Sequence, residues 1–171
     1  QEIASLKNSI SEMWALVHQQ LYNAGEAMLT GDKELAYKVI SRERRVNAFE
    51  LKIDSDCEDI IALYAPVAVD LRFVLAMYKI NTNLERLGDF AESIARFAGN
   101  LPEGVPVDPQ LIKDTRVEEM LQELLSMLTL SQEAFEKESS EIASRIFLKD
   151  NLIDEINHNS TRIIADYIEK H

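Results

Sequence analysis

Apolar residues recur at steps of three and four along most of the chain. Met13, Val17, Leu21, Ala24 and Met28 form one stripe, the spacing of one face of an α-helix. Thr30-Gly31-Asp32 interrupts it. Gly31 suits a left-handed C-terminal position and Asp32 an N-cap. A second helix is predicted from about Lys33 to Ala65, with Leu35, Val39, Val46, Phe49, Ile53, Ile60 and Tyr64 inward. Pro66 ends it, because proline biases the preceding residue away from helix. A third run, from about Ala68 to Ala98, carries Leu71, Val74, Leu84, Leu87, Ala91 and Ile94 and closes at Gly99-Asn100. Gly99, Pro102, Gly104, Pro106 and Pro109 then form a linker, since this composition cannot continue a helix. A fourth helix is predicted from about Asp114 to Glu136, and a fifth from Ser139-Ser140 to the C-terminus. No stretch alternates with period two, so no sheet is expected.

The chain repeats itself at an offset of 107 residues. Met13, Val17, Leu21 and Met28 fall over Met120, Leu124, Leu128 and Phe135, and Leu35, Val39, Val46 and Phe49 over Ile142, Ile146, Ile153 and Ile156. Asp32 falls over Ser139, both good N-caps, but Gly31 falls over Glu138. Internal repeats decide fold class. The expected architecture is all-α, a tandem repeat of antiparallel three-helix bundles with long helices. Residues 1–99 form the first bundle, 100–113 a linker, and 114–171 a second bundle that lacks its third helix. An uncovered apolar stripe along Ile146, Ile153, Ile156 and Ile163 is expected from that gap.

Charge narrows the function. There are 30 acidic and 18 basic residues in 171, a net charge of −12, which argues against nucleic acid as the main ligand. The single cysteine, Cys57, excludes a disulfide-stapled secreted fold. No apolar run reaches the roughly 20 residues that span a bilayer. The first residue is Gln1 and not Met, which suggests a processed, trimmed or excised piece.

Two carboxylate pairs stand at i,i+4, Glu50 with Asp54 on the second helix and Glu85 with Asp89 on the third. Like charges at that spacing repel, at about 0.2–0.5 kcal/mol per exposed pair. Each pair lies about 100° and 140° round the wheel from an inward residue, Phe49 or Leu84, on the polar edge of the core. Glu43 and Asn47 extend the stripe on the second helix, with Asn81 and Thr82 nearby on the third. A bound cation would turn the repulsion into attraction. All-oxygen ligands suit Fe³⁺, Mg²⁺, Mn²⁺ or Ca²⁺ and not zinc. Spacing alone favours the plainer alternative, a solvated acidic face.

The stretch Ala65-Pro66-Val67-Ala68-Val69-Asp70-Leu71-Arg72, with Leu84-Glu85-Arg86-Leu87-Gly88-Asp89-Phe90-Ala91-Glu92-Ser93-Ile94-Ala95 downstream, resembles the signature of the PhoU family of phosphate-transport regulators. The resemblance implies that Glu50, Asp54, Glu85 and Asp89 belong to the family's metal-holding motifs, with iron the first candidate and magnesium, manganese or calcium next. It implies a non-enzymatic regulator of phosphate uptake, cytoplasmic and peripheral to the inner membrane surface. The partners it implies are the ATPase of a phosphate ABC transporter and a phosphate-sensing histidine kinase. A homodimer is expected. In the second unit Asp150 and Asp154 keep the metal-motif spacing two turns earlier on their helix. The positions equivalent to Glu43, Asn47, Glu50 and Asp54 are Asp150, Asp154, Asn157 and Thr161.

Two other readings compete. One is the PhoU-like cytoplasmic domain of a sodium–phosphate cotransporter. The other is a carboxylate-bridged metalloenzyme, suggested by Glu155-x-x-His158 but lacking the second such motif that a di-iron bundle needs. The wheel turns His158 outward. Cys57 and Trp14 read as core residues, and Asp70 and Arg72 as helix-end charges and ion-pair partners. Gly88 costs about 1 kcal/mol in a helix relative to Ala, so it serves either close helix approach or access to the carboxylates.

Overall fold

Six helices carry the residues described by a computed structural model, 1–102 and 105–170. Gly104 of the predicted linker and His171 at the end of the predicted second bundle lie outside the described residues. The helices are α1 (Glu2–Thr30), α2 (Lys33–Tyr64), α3 (Val69–Asn100), α4 (Pro109–Thr115), α5 (Val117–Lys137) and α6 (Ser140–Lys170). No strand occurs among the described residues, and no described helix is long and apolar enough to cross a membrane.

α1, α2 and α3 pack on one another pairwise. Their stripes meet in a core that includes Ile10, Met13, Val17, Val46, Ile53 and Val74, each fully or almost fully buried. Trp14 and Cys57 are buried in it, as the sequence suggested. Towards the α1–α2 turn the core changes to small residues, among them Ala24, Ala36, Ala91 and Ala95, so the helices approach closely there. Inside the bundle the Gln20 amide donates to the Val39 carbonyl across 2.8 Å, tying α1 to α2.

The repeat is visible in the turns. Gly31 caps α1 with φ 73°, and Asp32 accepts a hydrogen bond from the Leu35 N–H at 2.9 Å. One repeat later Glu138 takes the same left-handed conformation at φ 51°, and the Ser139 hydroxyl accepts from the Ile142 N–H. The backbone turn is thus kept where its glycine is not. Asp32→Ala should lower stability by about 1 kcal/mol, the usual cost of an N-cap; a urea midpoint with unchanged slope measures it.

α5 joins the first bundle along α1. The Trp14 indole N–H donates to the Leu128 carbonyl at 3.2 Å, and the ring stacks on Phe135 at 5.6 Å between centroids. Lys7 bonds Glu138 at 2.7 Å. The predicted fourth helix differs in detail. Helix begins at Pro109, inside the predicted linker, and breaks at Arg116, whose φ is 54°. Proline is well placed at a first helical position, where no N–H is needed, and the Asp108 carboxylate caps it through the Gln110 N–H. Both segments lie on α6, α4 held there in part by the Tyr167 hydroxyl donating to Asp108, and α5 lies on α1 as well.

That packing corrects the expected open stripe on α6. Ile156 is 1% exposed, and Ile146, Ile153 and Ile163 are half-buried. α4 and α5 cover much of the face, and exposure moves to Ile164 and Ile168.

At the other end, Tyr64 points outward and not inward as predicted. The α2–α3 connection, Ala65 to Ala68, has positive φ at both alanines, 43° and 48°. Ala65 leaves the helical region just before Pro66, as the proline requires. Asp70 and Arg72 stand exposed at the start of α3, and neither makes an ion pair with a described residue.

Candidate metal centre

α2 and α3 meet closely at Gly88. A Cβ there would lie 2.8 Å from Val46 Cγ1 and 3.6 Å from both carboxylate oxygens of Glu43. The glycine therefore serves close helix approach, the first of the two ends that its place in a helix suggested.

Glu43 is the residue that wheel reasoning underrated. It is 4% exposed, and neither carboxylate oxygen accepts a hydrogen bond from any described residue. Its pKa is pushed up to about 7, first by burial and then by the charges of Glu92, Asp89 and Glu85 on α3. A signal for this was present. Val39, Glu43, Val46 and Glu50 follow at steps of four, three and four, so Glu43 occupies a place on the inward stripe.

The two predicted pairs lie beside it. Glu50, Asp54 and Glu85 are half-buried and Asp89 is exposed. Asn81, fully buried on α3, donates to the Glu50 carbonyl at 3.0 Å and to Asp54 Oδ1 at 2.8 Å. It fixes Asp54 against α3 and keeps its own Oδ1 without a described donor. Burial raises the Glu50 pKa, and the charges of Asp54 and Asp89 raise it further. Glu85 is raised by burial, by the charges of Asp89 and Glu50, and by a hydrogen bond to Asp89, while Arg86 opposes the shift. Carboxylates of α2 and α3 thus stand within each other's electrostatic reach.

The donor set fits a hard cation. Every side-chain donor is a carboxylate or amide oxygen, and the buried, unbonded Glu43 oxygens lack the compensation that a buried charge ordinarily requires. The side chains are not closed around a point: among the described residues no three His, Cys, Asp or Glu side chains are placed to hold an ion together. Loading would need rotation of Glu50, Glu85 or Asp89.

The second-unit pair is placed differently. Asp150 and Asp154 are exposed on α6, a helix that packs mainly on α5 and α4, and the structure does not bring them to the α2–α3 carboxylates. Glu155 is ion-paired with Arg116 at 3.3 Å, and His158 is exposed as expected.

Residues 10–98 and 117–171 match the PhoU domain family. The chain is 32% identical over 167 residues to the phosphate-specific transport system accessory protein PhoU homolog of Aquifex aeolicus, covering 98% of this chain and 74% of the relative. It is 32% identical to the corresponding Escherichia coli accessory protein, over 98% of this chain and 68% of that one. The fold matches the phosphate transport system regulatory protein PhoU of Streptococcus pneumoniae with a TM-score of 0.86, at 28% identity, over 99% of this chain and 78% of that one. PhoU of Pseudomonas aeruginosa matches with a TM-score of 0.87 at 25% identity, over 99% and 79%.

Proposed function

Since the chain belongs to the PhoU family, we propose that it is a regulator of phosphate uptake whose α2–α3 carboxylates bind a metal ion. It works as an adaptor at the cytoplasmic face of the membrane. There it links the ATPase of a phosphate ABC transporter to a phosphate-sensing histidine kinase and acts as a homodimer. The observation that carries the site is the buried carboxylate of Glu43, without a hydrogen-bond donor and facing the carboxylates of α3.

The stripe of Glu43, Glu50, Asp54, Glu85 and Asp89 would supply the ligands, though Glu43 and Asp54, about 16 Å apart along α2, would not share one ion. A hard cation, with iron first and magnesium, manganese or calcium after it, supplies positive charge where five carboxylates otherwise repel. Each carboxylate then favours its ionised form, because an adjacent cation lowers a carboxyl pKa. Asn81 keeps Asp54 in place, and Gly88 lets α2 and α3 close beside Glu43. The effect on the protein is to hold α2 against α3.

Elemental analysis of purified protein tests the site. The parent should carry iron or another hard cation, and Glu85→Ala with Asp89→Ala should lose it. Equal metal content in both proteins would remove α3 from the assignment.

A further inference from the structure

The end of the first bundle away from the α1–α2 turn exposes an apolar knob. From Ile61 to Val69 the sequence runs Ile-Ala-Leu-Tyr-Ala-Pro-Val-Ala-Val, nine residues without a charge or an amide side chain. Leu63 is 73% exposed, Tyr64 63%, Val67 75% and Val69 76%. A contiguous patch of this kind on a soluble surface marks a contact site. The knob is also shaped in advance. Ala65 and Ala68 hold left-handed φ values, and the turn is closed by the Asp70 N–H on the Val67 carbonyl and the Arg72 N–H on the Ala68 carbonyl, both at 3.2 Å. A preformed turn pays little ordering entropy when it docks.

Charge selects the occupant. Around the knob stand Asp56, Glu58, Asp59 and Asp70, with exposed Arg72 beside Asp70, so the rim stays acidic on balance. Lys52 is engaged by Asp56 at 2.6 Å. Glu2 stands beside Asp56, Asp59 and Leu63 in the shallow depression at the knob's base. An acidic rim is repelled by an anionic lipid surface, and equally by the same rim on a second copy. It complements lysine and arginine.

We infer that the Leu63–Val69 knob is a docking surface for an apolar socket, rimmed by lysine and arginine, on a protein partner. For the partner's identity this rests on the phosphate-transport reading above, which supplies the ATPase subunit and the sensor kinase. The apolar residues give the contact its burial, and the acidic rim sets its orientation and its preference for a basic partner.

The test is binding of the purified full chain to the purified transporter ATPase and to the cytoplasmic part of the kinase, by calorimetry or interferometry. Val67→Asp and Leu63→Asp change exposed residues, and circular dichroism checks that they remain folded. Each should weaken binding to one of the two proteins by about ten-fold or more. Wild-type binding should weaken as salt rises, and Glu58→Gln with Asp59→Asn should reduce that salt dependence. Unchanged binding by both knob variants would overturn the inference while leaving the regulatory reading intact. Binding of neither protein by the wild type would overturn both. Wild-type binding to phosphatidylglycerol vesicles that Val67→Asp abolishes would overturn it in favour of a membrane, and self-association that Val67→Asp abolishes would overturn it in favour of a second copy.

Discussion

Metal-free protein should lose about 3 kcal/mol of stability through Glu43 alone between pH 4.5 and about pH 8. Burial and the α3 carboxylates raise the Glu43 pKa from 4.5 to about 7. Between those values the folded chain binds more protons than the unfolded one, so stability falls as pH rises. The contribution is fully present below 4.5 and gone above about 7. Glu50 and Glu85 are raised as well and act in the same direction. Glu119, Glu133 and Glu138 act in the opposite direction, since hydrogen bonds from Arg116, Lys137 and Lys7 lower their pKa values. Comparison with Glu43→Gln cancels all of these. The variant and the parent should have similar urea midpoints at the acid end, and at pH 8 in EDTA the variant should be the more stable. A difference between the two proteins that does not change with pH would show that Glu43 ionises freely in the fold. Bound metal should reverse the trend, because it stabilises the ionised site and is lost as the carboxyls protonate.

Local chemistry made most of the fold legible. The helix-period stripes gave the five long helices, and Asp32 and Ser139 gave their turns, because periodicity and capping act within a few residues. Pro109 was misleading for the same reason. A proline can end one helix or begin the next, and the Asp108 cap together with packing on α6 decides between them. The turn at Glu138 shows the complementary case, a left-handed position kept by the repeat's geometry without glycine.

The candidate site was legible in part. Spacing placed Glu50, Asp54, Glu85 and Asp89 on helix edges, and the structure brings those edges together. The burial of Glu43 depends on what faces it, and Gly88 is 45 residues further along the chain (88 − 43). No local pattern contains that pairing. Tyr64 failed for a related reason. The wheel assigns a face correctly only while neighbouring helices continue, and beyond Ile60 the α2 side chains Ile61, Leu63 and Tyr64 are all exposed.

Gly88→Ala separates two opposed effects of one methyl group. Helix propensity predicts a gain of about 1 kcal/mol, because glycine is the poorer helix former. Packing predicts a loss of about 1–3 kcal/mol, the usual cost of forcing a methyl into a filled core. Val46 decides the sign. It is fully buried and its Cγ1 would lie 2.8 Å from the new carbon, and a β-branched side chain has few rotamers in which to retreat. The helices must then separate, and the net result should be a loss of about 1–2 kcal/mol at acid pH. Separation also admits water to Glu43, which reduces the desolvation that raises its pKa. The variant should therefore show a smaller fall in stability between pH 4.5 and about pH 8 than the parent, together with its lower starting point. A lower midpoint with the full pH dependence retained would mean that the bundle absorbs the methyl elsewhere and that Gly88 does not keep Glu43 dry. A higher midpoint would mean that Val46 can move aside and that the close approach of α2 and α3 does not depend on the glycine.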